Sequence, residues 1–169
     1  MSLPREVLKK YMTGPCLFIE TGTKWGDTAI RAAEFGADRV ISFEADEAMA
    51  KTAMCHVKDA APWAEIKVEY GDSVKGLAGL GREVADTRKR VVVFLDAHTE
   101  SKSPVEEELS EIFKWGYLPD VVLIDDLGLM LGWGVNPDHL ESSLERHGYV
   151  LSYENGSVAV NDILVGVRK

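Results

Sequence analysis

The residues able to do chemistry sit in short segments where glycines and acids follow apolar runs. The first is Glu20-Thr-Gly22-Thr23-Lys-Trp-Gly26-Asp-Thr28, which separates an apolar run from a helical pattern. Two glycines there let the backbone turn sharply and approach a ligand at a helix N-terminus. A dinucleotide fingerprint needs glycines at 22, 24 and 27, but positions 24 and 27 hold Lys and Asp; a P-loop needs a Gly-Lys-Ser/Thr ending that is absent. Both phosphate readings weaken, and a nicotinamide-dependent reductase weakens with them. Glu20 would repel a pyrophosphate but suits a ligand bearing an ammonium or sulfonium. Glu44 closes the second apolar run, where a carboxylate accepts ribose hydroxyls in doubly wound folds. Gly71-Asp72-Ser73 follows the third, a place from which a carboxylate can accept an adenine amino group. Each acid alone also reads as a helix cap or a solvated group. Three in succession, with the glycine loop, point to an adenosine ligand.

A second cluster lies further along. Val91-Val-Val-Phe-Leu runs into Asp96-Ala-His98, and Val121-Val-Leu-Ile runs into Asp125-Asp126. In a parallel sheet these groups leave on the same edge as the glycine loop. Three converging acids repel one another unless protonated or bridged by a cation, and all-oxygen ligands favour Mg²⁺ or Ca²⁺ over zinc. Helix capping or a purely polar role for Asp125 and Asp126 is the alternative. His98 reaches the same region, where an imidazole accepts a substrate proton or serves as a hydrogen-bonded loop residue. His56, His139 and His147 lie on helical stretches and read as solvent-facing. Glu106-Glu107-Glu108 reads as a solvated first helical turn.

The elements that must position these groups follow from the apolar periodicity. Strands are expected at 16–20, 39–44, 66–70, 91–95, 121–124 and 148–153. Helices are expected at 27–35, 46–58, 74–80, 104–115 and 137–146, with start signals at Asp46, Ser103-Pro104 and Asn136-Pro137. The runs at 91–95 and 121–124 are continuously apolar, as befits central strands covered on both faces. Alternating strands and helices argue for an α/β, doubly wound, mostly parallel sheet of Rossmann-like type. After residue 148 the alternation stops. An Asn155-Gly156 turn signal, Val158-Ala-Val and Ile163-Leu-Val-Gly-Val predict a C-terminal antiparallel hairpin with no helix between its arms.

With 169 residues, 46% of them hydrophobic, the whole span 1–169 is expected to form a single domain with its own core. Against 28 acids stand 19 Lys and Arg, a formal net charge of -9 that repels phosphate backbones and anionic lipid. Neither nucleic acid nor membrane is therefore the expected partner. Cys16 and Cys55 read as two buried free thiols, and no signal or spanning segment is evident, so a reducing, cytoplasmic setting is expected.

The loop, the successive acids and the terminal hairpin together resemble the class I S-adenosylmethionine-dependent methyltransferases over nearly the whole chain. S-adenosylmethionine carries both an ammonium and a sulfonium group. The resemblance implies a seven-stranded sheet whose last strand runs antiparallel. By position, Glu20, Gly22 and Gly26 match the family's acid-x-Gly-x-x-x-Gly loop, with Thr23 and Thr28 beside them. Glu44 matches its ribose acid, and Asp72 with Ser73 its adenine-contacting segment. Lys24 stands where many members have a further glycine. Asp96, Asp125 and Asp126 are similar to the ion-holding acids of the small metal-dependent O-methyltransferases of the catechol, caffeoyl-CoA and macrocin type, and Leu131-Gly-Trp-Gly134-Val echoes the stretch after that pair. The expected function is methyl transfer to an oxygen of a small molecule, with Asp96 and His98 as catalytic candidates and a divalent ion as possible helper. A second subunit of a homodimer is one way to complete so open an acceptor pocket. The alternative is a catalytically silent nucleotide- or partner-binding domain on the same fold.

Overall fold

The computed structural model describes residues 3–157 and 159–169. In chain order the strands are Cys16–Thr21 (β1), Ala37–Glu44 (β2), Ile66–Tyr70 (β3), Arg90–Leu95 (β4), Val121–Ile124 (β5), Tyr149–Glu154 (β6) and Ile163–Arg168 (β7). The helices are Arg5–Tyr11 (α1), Asp27–Glu34 (α2), Glu47–Ala60 (α3), Ser73–Thr87 (α4), Val105–Ile112 (α5), Leu127–Met130 (α6) and Pro137–Arg146 (α7), with a 3₁₀ turn at Leu131–Trp133. Among the described residues the strands form one seven-stranded sheet in the order β3-β2-β1-β4-β5-β7-β6. The first five are parallel, while β7 runs antiparallel to both β5 and β6. This is the doubly wound, Rossmann-like sheet with an antiparallel end that the sequence predicts.

Residues alternate between two apolar layers, as the two-residue period of a strand requires. Leu17, Ile19, Val91, Val93 and Leu95 pack with α4, α5 and α7, whereas Cys16, Phe18, Val92 and Phe94 face α1 and α2. All of β5 is buried, in keeping with its continuous apolar run. The chain moves outward from β1 to β3, then returns past β1 to β4. A crevice therefore opens between the carboxyl ends of β1 and β4, where the order reverses.

Several expectations change. Helix α4 runs to Thr87 and not only to residue 80, because Gly76 and Gly81 are packing contacts and not breaks. A Cβ at Gly76 would lie 2.3 Å from the Phe43 ring, and one at Gly81 would lie 3.1 Å from Trp115 Cδ1. Helix α5 is shorter than expected and ends at Ile112. Helices α1 and α6 were not foreseen; α1 is a seven-residue element held by buried Val7, Leu8 and Tyr11. Cys55 is exposed, since the inward stripe of α3 is Ala50, Ala53 and Val57, and only Cys16 is buried. His147 is half-buried and stacks on Phe113 with ring centroids 3.7 Å apart, while His56 and His139 face outward. The hairpin arms are joined by residues 155–162, so Ala159 and Val160 belong to the connection and not to a strand; Val158 lies outside the described residues. Asn155 Oδ1 accepts the Asn161 backbone N–H at 3.1 Å and closes that connection. No described helix is long and apolar enough to cross a membrane.

Two of the three glycines of α4 make opposite predictions. Gly76→Ala should destabilise by about 1–3 kcal/mol through overpacking against Phe43, despite the better helix propensity of alanine. Gly79→Ala, where a Cβ meets nothing within 4 Å, should stabilise by about 0.4–1 kcal/mol. Urea denaturation of both variants checks the pair, and equal shifts would contradict the packing assigned to Gly76.

Candidate functional site

The floor of the crevice is a close backbone contact. Gly22 has φ +80°, and a Cβ there would lie 2.6 Å from the Asp96 carbonyl oxygen, a distance no side chain tolerates. Only glycine meets both demands. Its N–H and that of Thr23 both donate to the Phe43 carbonyl, at 2.9 and 3.1 Å, tying the loop to the end of β2. Gly26, with φ +84°, starts α2 against the Val57 side chain.

A cavity of about 450 Å³ opens above this floor and draws its lining from four strand ends: Gly22, Glu44, Asp72, Ser73, Asp96 and His98 all contribute. The glycine, the ribose-type acid, the adenine-type segment and the two catalytic candidates thus stand round one space. Glu44 is held firmly. Its Oε2 accepts the Lys24 N–H at 2.8 Å and its Oε1 the Asp46 N–H at 3.0 Å, which fixes both oxygens while leaving lone pairs open. The first of these bonds also secures Lys24 in a left-handed conformation at φ +53°. Asp72 caps α4 by accepting the Lys75 N–H at 2.9 Å, and Ser73 is buried in the first turn.

Three other expected cofactor residues serve the loop from below. Glu20 is fully buried and accepts a hydrogen bond from Ser42 Oγ at 2.7 Å; burial pushes its carboxyl up to about 8, a shift that the Ser42 bond reduces. Thr23 Oγ1 meets the same Ser42 hydroxyl. Thr28 Oγ1 accepts the Leu3 N–H at 3.3 Å on the far side of α2. None of the three lines the cavity.

After β4 and β5 the acids crowd together. Burial raises the Asp96 carboxyl well above the ordinary range, and the neighbouring Asp125, Asp126 and Glu20 raise it further; its Oδ1 is buried without a hydrogen-bond partner. Asp125 is raised to about 6 by burial, against the Asp126 N–H that its Oδ1 accepts at 2.9 Å. Asp126 has φ +59°, and its Oδ2 lies 3.4 Å from His98 Nε2. The expected trio of acids is thereby divided between two groupings. Asp96, His98 and Asp126 present donor atoms all within 4.8 Å of one another, and so do Asp125, Asp126 and Asp162. An orphaned carboxylate oxygen facing further acids is what a divalent cation would satisfy, so the donor set fits such an ion.

Sequence reasoning missed four residues here. Asp162 accepts the Gly128 N–H at 2.8 Å; the signal was the reversal of β7, which brings its first residues to the carboxyl edge. Trp133 stacks on His98 with centroids 4.8 Å apart, within the glycine-bearing stretch noted above. Phe43 lines the cavity beside Glu44. Glu108, expected in solvent, is fully buried beneath Ser73 and Thr21, because α5 turns that face of its first turn toward the sheet.

No protein-family model and no curated protein matches the sequence. Solved structures match the fold. An O-methyltransferase from Bacillus cereus in complex with S-adenosylhomocysteine is 17% identical, with a TM-score of 0.64 over 98% of this chain and 78% of that one. A provisional caffeoyl-CoA O-methyltransferase of Staphylococcus aureus is 16% identical, with a TM-score of 0.69 over 99% and 86%. A provisional tRNA (m1A22) methyltransferase of Streptococcus pneumoniae, in complex with S-adenosylmethionine, is 15% identical, with a TM-score of 0.68 over 97% and 71%. The chain shares the methyltransferase fold, on which different acceptors are served.

Glu108 supplies a test of the buried acids under the cavity. Burial pushes its carboxyl from 4.5 up to about 7; nearby Ser73 and Thr21 hydroxyls reduce the shift, although neither oxygen has a well-directed partner. Between about pH 4.5 and about 7 the folded chain keeps a proton that the unfolded chain releases, so stability from this group falls as pH rises. Glu108→Gln has no such proton. Its unfolding free energy should gain on that of the unaltered chain across this window, and parallel pH profiles in urea denaturation would contradict the assignment.

Proposed function

We propose that this chain is an S-adenosylmethionine-dependent methyltransferase that acts on an oxygen of a small molecule. The observation that carries the proposal is Glu44, aligned by two backbone N–H groups in the same cavity as Gly22, Ser73 and Asp96. Hydrogen bonds to a charged carboxylate fit a ribose diol, and the Gly22 turn permits close approach of the ligand to backbone. Phe43 and Met49 give the adenine side an apolar wall, with Asp72 and Ser73 at its edge. When bound, the cofactor supplies a sulfonium methyl group to a nucleophile. The chain's part is to place the two reactants, exclude water and steady the acceptor oxygen.

Asp96 and His98 line the cavity from the end of β4, where the acceptor would lie. A divalent cation held by Asp96 and Asp126 would acidify and orient an acceptor hydroxyl there. Leu129 and Leu131 are exposed in the segment that carries Trp133, which suits a small acceptor with an apolar part. The net charge of -9 disfavours a polynucleotide acceptor. Cys55, an exposed free thiol, suits a reducing compartment such as the cytoplasm.

Calorimetry tests the cofactor assignment. S-adenosylhomocysteine should bind and NAD should not. Glu44→Ala should weaken binding by about 10- to 100-fold, the range for a hydrogen bond to a charged group. Tight NAD binding without S-adenosylhomocysteine binding would overturn the proposal.

A further inference from the structure

The His98 imidazole is held by two contacts, one of them to a tryptophan that is itself tied down. Trp133 stacks on its face at 4.8 Å and an interplanar angle of 17°, and the Trp133 Nε1–H donates to the Glu100 carbonyl at 3.3 Å. His98 Nδ1 lies 3.2 Å from the Thr99 carbonyl oxygen. A carbonyl only accepts, so Nδ1 carries the proton of that bond and a neutral ring presents its Nε2 lone pair on the other side. That lone pair faces Asp126 Oδ2 at 3.4 Å, and Asp96, whose Oδ1 is buried and unpartnered, belongs to the same cluster. Two lone pairs at this distance need either a proton on Nε2 or a cation between them.

The geometry points to His98 as a third protein ligand of the divalent-ion site, with Nε2 joining Asp96 and Asp126 and turning the site from Mg²⁺ or Ca²⁺ toward a transition ion of the Co²⁺ or Zn²⁺ class. This rests on the methyl-transfer reading only for its place beside the acceptor. Imidazole suits zinc and its neighbours, whereas carboxylate sets without nitrogen suit Mg²⁺ and Ca²⁺. Ligating histidines commonly give their other N–H to a carbonyl, which sets tautomer and ring orientation; Thr99 does so here. The second grouping of Asp125, Asp126 and Asp162 is less available. Asp125 accepts the Asp126 N–H, and Asp162 accepts the Gly128 N–H at 2.8 Å.

The metal-free chain should be titrated with Co²⁺, Zn²⁺ and Mg²⁺ by calorimetry, with visible absorption followed for Co²⁺ and S-adenosylhomocysteine affinity measured in parallel. Co²⁺ should bind with new d–d bands and be displaced by Zn²⁺. Because most sites prefer these ions to Mg²⁺ to some degree, the part that depends on His98 decides. His98→Ala should weaken Co²⁺ by about tenfold or more, alter the bands and leave Mg²⁺ affinity unchanged. His98→Gln should behave likewise, and Asp126→Asn should weaken every ion. Co²⁺ binding that is absent, or equal in affinity and spectrum in His98→Ala, would overturn the inference and leave His98 as a polar neighbour of Asp126. Failure of S-adenosylhomocysteine to bind, with ion selectivity intact, would instead count against the methyl-transfer reading alone.

Discussion

The approach of Gly22 to the Asp96 backbone governs the carboxyl edge of this molecule. Strands β1 and β4 are adjacent, with Thr21 opposite Leu95, so the chains leaving them start side by side and then diverge to opposite halves of the sheet. The crevice between them exists because of the strand order, and its depth depends on how closely the two loops pack at its base. A side chain at position 22 would separate them. That would carry Asp96 away from the acids after β5, and would break the bonds from Gly22 and Thr23 to Phe43 that hold the loop beside Glu44. One missing Cβ therefore sets both the β2 side and the β4 side of the cavity.

The same edge gathers more negative charge than a folded chain ordinarily tolerates. Glu20, Glu108, Asp96 and Asp125 are all buried enough to have raised pKa values, and each would cost several kcal/mol as an unpaired ion. The fold handles them differently. Glu20 has a hydroxyl donor in Ser42, and Asp125 has a backbone N–H. Asp96 Oδ1 has no partner, and it is the one acid of the four that lines the cavity. An unsatisfied carboxylate held at the end of a ligand site is stabilised by a proton, a cation or a polar substrate atom. This makes the site ready for ligand at some expense of stability.

How much of this was legible depended on whether a signal was local. Strand ends and their acids were readable because continuous apolar runs such as 91–95 stop abruptly at charged residues, and a mostly parallel, doubly wound sheet then follows from alternation with helices. The length of α4 was not, since Gly81, just past the expected end, looks like a break until Trp115 is seen against it. Glu108 was misplaced for a similar reason: three successive glutamates read alike, and only packing of α5 singles out the one that turns inward. Asp162 and the part played by His98 needed tertiary information. The first depends on the reversal of β7, the second on Trp133 arriving from another segment to lock the ring. Residues serving the loop from below, Glu20 and Thr28, matched the expected pattern by position, but their side-chain partners are set by Ser42 and Leu3.

The molecule has a second cavity, of about 640 Å³, at the amino edge of the sheet between Asp38, Arg39, Arg82 and Lys89. A choice between the two edges is thus the most direct test of the account. Amide chemical-shift changes in ¹H–¹⁵N spectra on addition of S-adenosylhomocysteine would make it. The account predicts that perturbations concentrate in the segments 22–26, 44–46, 71–73 and 96–98, with those at 38–39 and 82–89 unmoved. Perturbations centred on the amino-edge cavity, or none at saturating ligand, would contradict it.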